Sequence, residues 1–239
     1  MATPQTTVRD IALEQPASIR VFEHFGIDYC CGGRKPLAEA CQERSIEPKA
    51  VLDAIQEAIA GGGEQARDWT QAKLETICGH IVETHHAYIR GELPRLEMLA
   101  QKVVSRHGAT HPELEEIQQL IGSVGEELLQ HLSKEEMVLF PFITNLERNI
   151  ASSGPRPLGC FGAMRNPIRM MIAEHDAAGE AMARMRVLSN GFTPPEGACP
   201  TYRGFYQALS EFEKDLHQHV HLENNILFPR AIGLDEGCA

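Results

Sequence analysis

Two segments of this 239-residue chain share the pattern H-x3-E-x3-L-F-P. They occupy residues 131–141 and 219–229, an offset of 219 − 131 = 88 residues. A further histidine precedes each segment at nearly the same distance: His86 by 131 − 86 = 45 residues and His175 by 219 − 175 = 44 residues. The chain therefore contains a duplication, in which each half supplies one isolated histidine and one His-x3-Glu pair.

The His-x3-Glu spacing predicts metal ligands on helices. Residues four apart in a helix project from one face with a rise of about 6 Å, so each pair directs an imidazole and a carboxylate into the same space. Helical bundles build metal sites from inward-facing side chains, and imidazole with carboxylate but without thiolate suits iron, manganese or zinc. We therefore predict a two-metal site in a bundle. Its expected ligands are His86, His131, Glu135, His175, His219 and Glu223.

His85 is the alternative to His86 as the first ligand. In the predicted helix, His86 shares an apolar stripe with Val82 and Ile89. His85 lies about 100° further around that helix, on a stripe that contains the polar Glu92. The pattern favours His86, and His85 stays open as an alternative.

The two repeated segments, with the histidine before each, resemble the hemerythrin-like domain. The run Asp28-Tyr29-Cys30-Cys31-Gly32-Gly33 resembles the small domain that precedes it in the repair-of-iron-centres family of di-iron proteins. The resemblance covers nearly the whole chain, and two unrelated signatures in this order are more specific than either alone. It implies an all-α fold: a four-helix, up-down hemerythrin-like bundle at residues 64–239 behind a small helical domain at residues 1–63.

Glycines, prolines and helix-capping residues support this division into two domains. Three glycines at 61–63 mark the boundary. Before them we expect short helices at residues 8–14, 16–25, 37–44 and 48–60. After them we expect four long helices, the first capped by Thr70 and the third opened by Asn166-Pro167, with a Gly- and Pro-rich crossover loop at 152–165.

Six protein ligands are few for two irons, so Glu135 and Glu223 are expected to bridge both metals, as the resemblance also implies. An oxo or hydroxo group is expected as a further bridge. Oxygen-carrying hemerythrins use an additional histidine, and its absence here would make the site more open and the metal easier to lose. Glu127, Glu174 and Asp215 are either acceptors for the ligating imidazoles or solvated helix-surface carboxylates.

The adjacent thiols of Cys30 and Cys31 are expected to be free, because a disulfide between neighbouring residues is strained. They are either transfer thiols that take up iron or a nitrosyl group, or part of a structural loop with a buried cysteine. The resemblance favours the transfer role. His217 and His221, which flank His219, are expected to be surface histidines.

Charge and composition exclude several partners. The formal net charge of −11 argues against a nucleic-acid surface. No apolar stretch approaches the roughly 18 residues that span a bilayer, and the first 16 residues do not follow the pattern of a signal peptide. The seven cysteines lack a disulfide-framework spacing, which favours a reducing cytoplasm.

The resemblance implies a stress-response protein that supplies iron to iron–sulfur proteins damaged by nitrosative or oxidative stress. Two alternatives use the same centre: a module that binds nitric oxide or oxygen, and an enzyme that reduces nitric oxide or peroxide. A closed structural zinc site is the remaining alternative. A homodimer is an expectation from the family only.

Overall fold

The computed structural model describes residues 2–60, 68–152 and 163–237. Within these ranges the chain is all-α, as the sequence predicted, and the only β-type pairing is an isolated bridge between Thr7 and Pro36. The predicted boundary at residues 61–63 lies outside the described residues. So do Cys160, Cys238 and residues 153–162 of the predicted crossover loop.

Two compact units make up the chain. One comprises Met1–Lys73 and His217–Arg230, and the other comprises Leu74–Leu216 and Ala231–Ala239. The first unit contains part of the last long helix, so it does not coincide with residues 1–63. The predicted division at residue 63 remains a prediction.

The first unit contains four short helices near the positions expected. They are α1 (Val8–Glu14), α2 (Ser18–Phe25), α3 (Leu37–Glu43) and α4 (Pro48–Ala60). Thr7 caps α1 by accepting the Asp10 N–H at 3.1 Å. Gly26 ends α2 with a positive φ of 66°, a conformation that glycine adopts without a steric penalty. Phe22 and Leu37 are completely buried in the core between these helices.

Four long helical runs form the rest of the described chain. They are α5 (Leu74–His80) continuing into α6 (Ala87–His107), α7 (Glu113–Lys134) into α8 (Phe140–Ala151), α9 (Arg165–Leu188), and α10 (Pro200–His221) into α11 (Phe228–Gly237). In the second unit, α7 packs against both α6 and α9. No helix in the described ranges combines the length and apolar character needed to cross a membrane.

The first long helix does not begin at Thr70, so that expectation was wrong. The N–H groups of Leu74 and Glu75 at the start of α5 donate to the carboxylate of Glu147 on α8, at 2.8 and 3.0 Å. Thr70 instead hydrogen bonds to Asp68. The N–H groups at a helix N-terminus can donate to any suitably placed carboxylate. Here the cap is therefore a residue 73 positions away in sequence.

The start of α9 also differs slightly from the expectation. The helix begins at Arg165, so Asn166 is not its N-cap, and Pro167 lies in the first turn at the third position. Proline is tolerated there because the first four N–H groups of a helix have no partner within the helix. The N–H of Met164, just before the helix, donates to Asp235 at 3.0 Å.

Candidate metal centre

All six residues predicted as ligands are buried. Complete burial of Glu is rare in proteins unless the carboxylate is paired or binds a metal. Here two glutamates and four histidines are each at most 2% exposed. They are His86, His131, Glu135, His175, His219 and Glu223.

Glu135 lies among three of these histidines in the second unit. Its Oε2 is 3.5 Å from Nε2 of His86 and 3.4 Å from Nε2 of His131. Nε2 of His131 is in turn 3.0 Å from Nε2 of His175. Residues from α7, α9 and the run that contains α5 and α6 therefore direct ring nitrogens toward one carboxylate.

The second His-x3-Glu pair repeats the geometry of the first. Nε2 of His219 lies 3.0 Å from Oε1 of Glu223. The ligand-type atoms form two groups of four, and within each group all atoms lie within 4.8 Å of one another. One group is His86, Glu135, His219 and Glu223, and the other is His131, Glu135, His175 and Glu223.

Each group thus combines two imidazoles with two carboxylates, and the two glutamates are common to both. His85 belongs to neither group. Its Nδ1 instead lies 2.9 Å from Oδ1 of Asp215.

The donor set fits a pair of metal ions. Among the described residues, neither carboxylate oxygen of Glu135 has a hydrogen-bond donor, although both oxygens are buried. A buried carboxylate without donors is costly unless a cation neutralises it. Nitrogen and oxygen donors without thiolate suit iron, manganese or zinc, as expected from the sequence.

Comparison with known proteins identifies the two regions of the chain. Residues 79–231 match the model of the hemerythrin HHE cation binding domain, and residues 4–59 match a domain of unknown function, DUF542. The chain is 38% identical to the iron-sulfur cluster repair protein YtfE of Edwardsiella ictaluri, over 94% of this chain and 95% of that protein. It is 35% identical to YtfE of Yersinia pseudotuberculosis, over 93% of this chain and 94% of that protein. Identity to YtfE of Pectobacterium atrosepticum is also 35%, over 97% of this chain and 99% of that protein.

The chain belongs to the YtfE family. The resemblance found in the sequence is thereby confirmed for both of its parts. The region that matches the hemerythrin HHE domain contains all six candidate ligands of this YtfE-family protein, and the region that matches DUF542 contains both adjacent cysteines.

Two carboxylates orient two of the candidate ligands of this YtfE-family chain, His86 and His131. Nδ1 of His86 lies 2.8 Å from Oε1 of Glu136, which also accepts from Arg90 at 2.9 Å. Burial opposes ionisation of Glu136, but these hydrogen bonds outweigh it and lower the pKa of that carboxyl. An ionised carboxylate only accepts, so Nδ1 of His86 carries the hydrogen and Nε2 is left to face Glu135.

Glu174 orients the imidazole of His131 in the same way. Its Oε2 lies 2.8 Å from Nδ1 of His131, and its Oε1 accepts from Lys134 at 2.5 Å. Burial again opposes ionisation, yet the bonds from Lys134 and His131 lower the pKa of Glu174. Glu174 was one of the acceptors that the sequence suggested. Glu136 was missed, because its partner lies 50 residues away and no local spacing relates the two.

A groove of about 430 Å³ reaches two of the candidate ligands, His131 and His175, from the surface. The ion pair of Lys134 and Glu174 lines it, together with Glu127. Its other walls are mainly apolar and small, and include Val124, Leu128, Met170, Ala173, Ala177 and Ala178. The groove therefore offers a small molecule a route from the surface to His131 and His175.

The adjacent cysteines of the first unit are thiols and not a disulfide, and their sulfur atoms are 3.7 Å apart. Cys30 is buried, whereas Cys31 is partly exposed. The carboxylate of Asp28 accepts the N–H groups of Cys30, Cys31 and Gly32 at 2.8, 3.1 and 2.9 Å. A Cβ atom at Gly33 would lie 2.6 Å from the carbonyl oxygen of Tyr29, so the close turn requires glycine there.

The two thiols are not equivalent. The hydrogen bond to Cys31, burial and the charge of Asp28 all raise the pKa of Cys30 well above its usual value. Cys30 is therefore protonated near neutral pH, and a cation that binds it must displace the proton.

The expectation that His221 lies on the surface was wrong. Its side chain is buried, and its ring centroid is 5.4 Å from that of Tyr29. Burial lowers the pKa of His221 to about 4, so the ring is neutral near neutral pH. The two-residue spacing correctly predicted that His221 and His219 face different directions. It contained no information about the loop around Tyr29 that covers His221.

Proposed function

We propose that this protein holds two iron ions at the His/Glu centre and supplies iron for the repair of iron–sulfur clusters damaged by nitrosative or oxidative stress. The observation that supports this most directly is that Glu135 and Glu223 belong to both groups of ligand-type atoms. Such carboxylates suit bridges between two metals, with an oxo or hydroxo group as a further bridge. Relatives across nearly the whole chain are named for iron–sulfur cluster repair.

The ligand set favours iron that can be released. Bound iron would supply a redox-active, exchangeable cation with open coordination positions. The protein's part is to hold the imidazoles of His86 and His131 in one tautomer through Glu136 and Glu174. With two His and two shared Glu for each metal, the protein does not fill six-coordinate iron, so an exchanging ligand can enter.

Cys30 and Cys31 are proposed as the thiols that carry iron to the client protein. Cys31 is partly exposed and is suited to the first exchange. Each thiol that binds iron loses its hydrogen as a proton to solvent while the sulfur–iron bond forms. The clients are damaged iron–sulfur proteins, and the cytoplasm and a homodimer remain predictions.

An iron-transfer assay tests this function. Protein loaded with iron-57 without air is mixed with an apo iron–sulfur enzyme, and the isotope and the enzyme activity are followed in both partners. We expect the isotope to move and activity to return with the parent protein. The Cys30→Ala, Cys31→Ala double variant should bind iron normally but transfer it at least tenfold more slowly, a factor equivalent to about 1.4 kcal/mol. Iron that stays bound in the parent would rule out the donor function.

A second function, capture or reduction of nitric oxide, is favoured by the groove beside His131 and His175. A bulky side chain in its wall, in the variant Ala173→Trp, should slow nitric oxide binding to the reduced protein at unchanged iron content. Ala183→Trp, on an exposed position of the same helix α9 but outside the groove, is the matched control. Equal binding rates in the parent and both variants would remove the groove as the route. Repeated turnover with an electron donor would distinguish reduction from capture.

A further inference from the structure

The loop that carries the adjacent cysteines is fixed to the last long helix by Asn225. The Nδ2 group of Asn225 donates to the carbonyl oxygen of Tyr29 at 3.2 Å, and it also lies 2.9 Å from Nδ1 of His221. An amide nitrogen carries two hydrogens and accepts none, so one hydrogen serves each partner. Both Asn225 and Tyr29 are buried, which makes the loss of such a bond costly.

A second contact holds the other end of the Tyr29 side chain. Its hydroxyl group donates to Oε1 of Glu23 at 3.1 Å, and Gln218 donates to the same oxygen at 2.8 Å. The ring of Tyr29 lies edge-on to the rings of His217 and His221, at centroid distances of 6.0 and 5.4 Å. The residue next to Cys30 is thus held at its carbonyl, its ring and its hydroxyl.

The duplication indicates that Asn225 serves this loop and not the ligand pattern itself. Its counterpart in the first copy is Met137, since 137 + 88 = 225, and Met137 is 78% exposed. The H-x3-E-x3-L-F-P pattern is complete around Met137 without an asparagine. A buried amide occurs only in the copy that meets the cysteine loop.

The helix geometry explains how neighbouring residues face different partners. Glu223 and Asn225 both lie in the π-helical segment Leu222–Leu227. Residues two apart on a helix do not share a face. Glu223 can therefore face His219 while Asn225 holds the Tyr29 carbonyl, so one short segment carries a candidate ligand and also anchors the thiol loop.

We propose that Asn225 is a positioning residue that fixes the Cys30–Cys31 loop against the helical segment bearing His219 and Glu223, and thereby keeps Cys30 buried. Its effect on iron transfer rests on the proposed function, because it assumes that these thiols receive the iron. Its effect on Cys30 itself does not depend on that function.

Site-resolved alkylation tests the proposal. The full-length parent, Asn225→Leu and the milder Asn225→Ala are treated with iodoacetamide, and peptide mass spectrometry measures the rate at each cysteine. We expect alkylation of Cys30 to rise roughly tenfold in both variants, as expected for the loss of one buried hydrogen bond of about 1.4 kcal/mol. Asn224→Ala, which alters the adjacent, partly exposed asparagine of the same segment, should leave the Cys30 rate unchanged.

Cys41 is the internal control for folding, because it is fully buried in the core of the same unit. Unchanged Cys41 alkylation alongside faster Cys30 alkylation supports a positioning role. An unchanged Cys30 rate in both Asn225 variants, or an equal increase at Cys41, would overturn it.

Iron measurements separate this proposal from the donor function. Both Asn225 variants should retain the parent's iron content and iron absorption spectrum, while transfer to an apo iron–sulfur enzyme slows roughly tenfold. If the parent itself transfers no iron but the variants still expose Cys30, the donor function fails and the positioning role stands. If the parent transfers iron and both variants transfer it equally fast, Asn225 has no part in the transfer.

Discussion

Replacement of Glu135 by leucine should stabilise the metal-free protein while it abolishes metal binding. Glu135 is 0% exposed, and neither of its oxygens has a hydrogen-bond donor among the described residues. Leaving such a group unsatisfied costs about 1–3 kcal/mol, and more when it is charged. The two imidazoles at 3.4 and 3.5 Å offset part of that cost. Leucine is of similar size and has no polar atoms, so the substitution removes this cost.

We therefore expect Glu135→Leu to raise the unfolding free energy of the metal-free protein by about 2 kcal/mol, or its Tm by roughly 4–8 °C. Thermal unfolding followed by circular dichroism measures this after chelation of all metal. Ferrous iron at about 100 times its Kd should then stabilise the parent by about 2.7 kcal/mol and the variant not at all. Glu126→Leu, at an exposed position of α7, is the matched control and should respond to iron like the parent.

The opposite result would refute this reasoning. If metal-free Glu135→Leu is less stable than the metal-free parent, the carboxylate contributes to the fold itself and is not held at a cost for a metal. An equal iron-dependent stabilisation of the parent and Glu135→Leu would show that iron binds elsewhere.

Three further predictions follow from contacts around this centre. Glu136→Gln removes the charge that orients His86 and should weaken iron binding roughly 10–100-fold in a competition with a chelator; unchanged affinity would remove its orienting role. Glu147→Ala removes the cap of α5 and should lower the unfolding free energy by about 1–2 kcal/mol in urea, whereas no loss would mean that water replaces the cap. The pKa of Asp28 is lowered in the folded protein because the charge of His217 and the hydrogen bonds of the loop outweigh burial, so its contribution is present above about pH 4 and is lost as pH falls through the folded pKa. The stability difference between the parent and Asp28→Asn should therefore shrink below about pH 4, and a constant difference would contradict the assignment.

The sequence carried most of the information about the helices and the candidate ligands, because both depend on local spacing. An i, i+4 pair shares a helix face wherever the helix packs, and the duplication related His86 to His175 without any knowledge of contacts. The cap of α1 is equally local, because Thr7 accepts the N–H of Asp10 only three residues further on.

Features set by distant partners could not be found in this way. Glu147 caps α5 and Glu136 orients His86, and each partner is at least 50 residues away in sequence. The burial of His221 depends on the loop that contains Tyr29. The neighbouring contact between Asn225 and Tyr29 joins residues that are 196 positions apart in sequence. Spacing within one helix contains no signal for such contacts.

The π-helical segments were also missed. Three of them, Ile81–His86, Glu135–Leu139 and Leu222–Leu227, include the candidate ligands His86, Glu135 and Glu223. Such segments are frequent at functional sites. No residue type in them differs from that of an ordinary helix, so the periodicity used for sequence analysis could not distinguish them.

The most direct test of the central claim is the number and coupling of the irons in protein purified without air. Elemental analysis with Mössbauer spectroscopy on iron-57 protein should give about two irons per chain as a coupled pair, and Glu223→Leu should lose one or both of them. One isolated iron, a zinc ion, or an unchanged iron pair in both Glu135→Leu and Glu223→Leu would contradict a centre bridged by these two carboxylates.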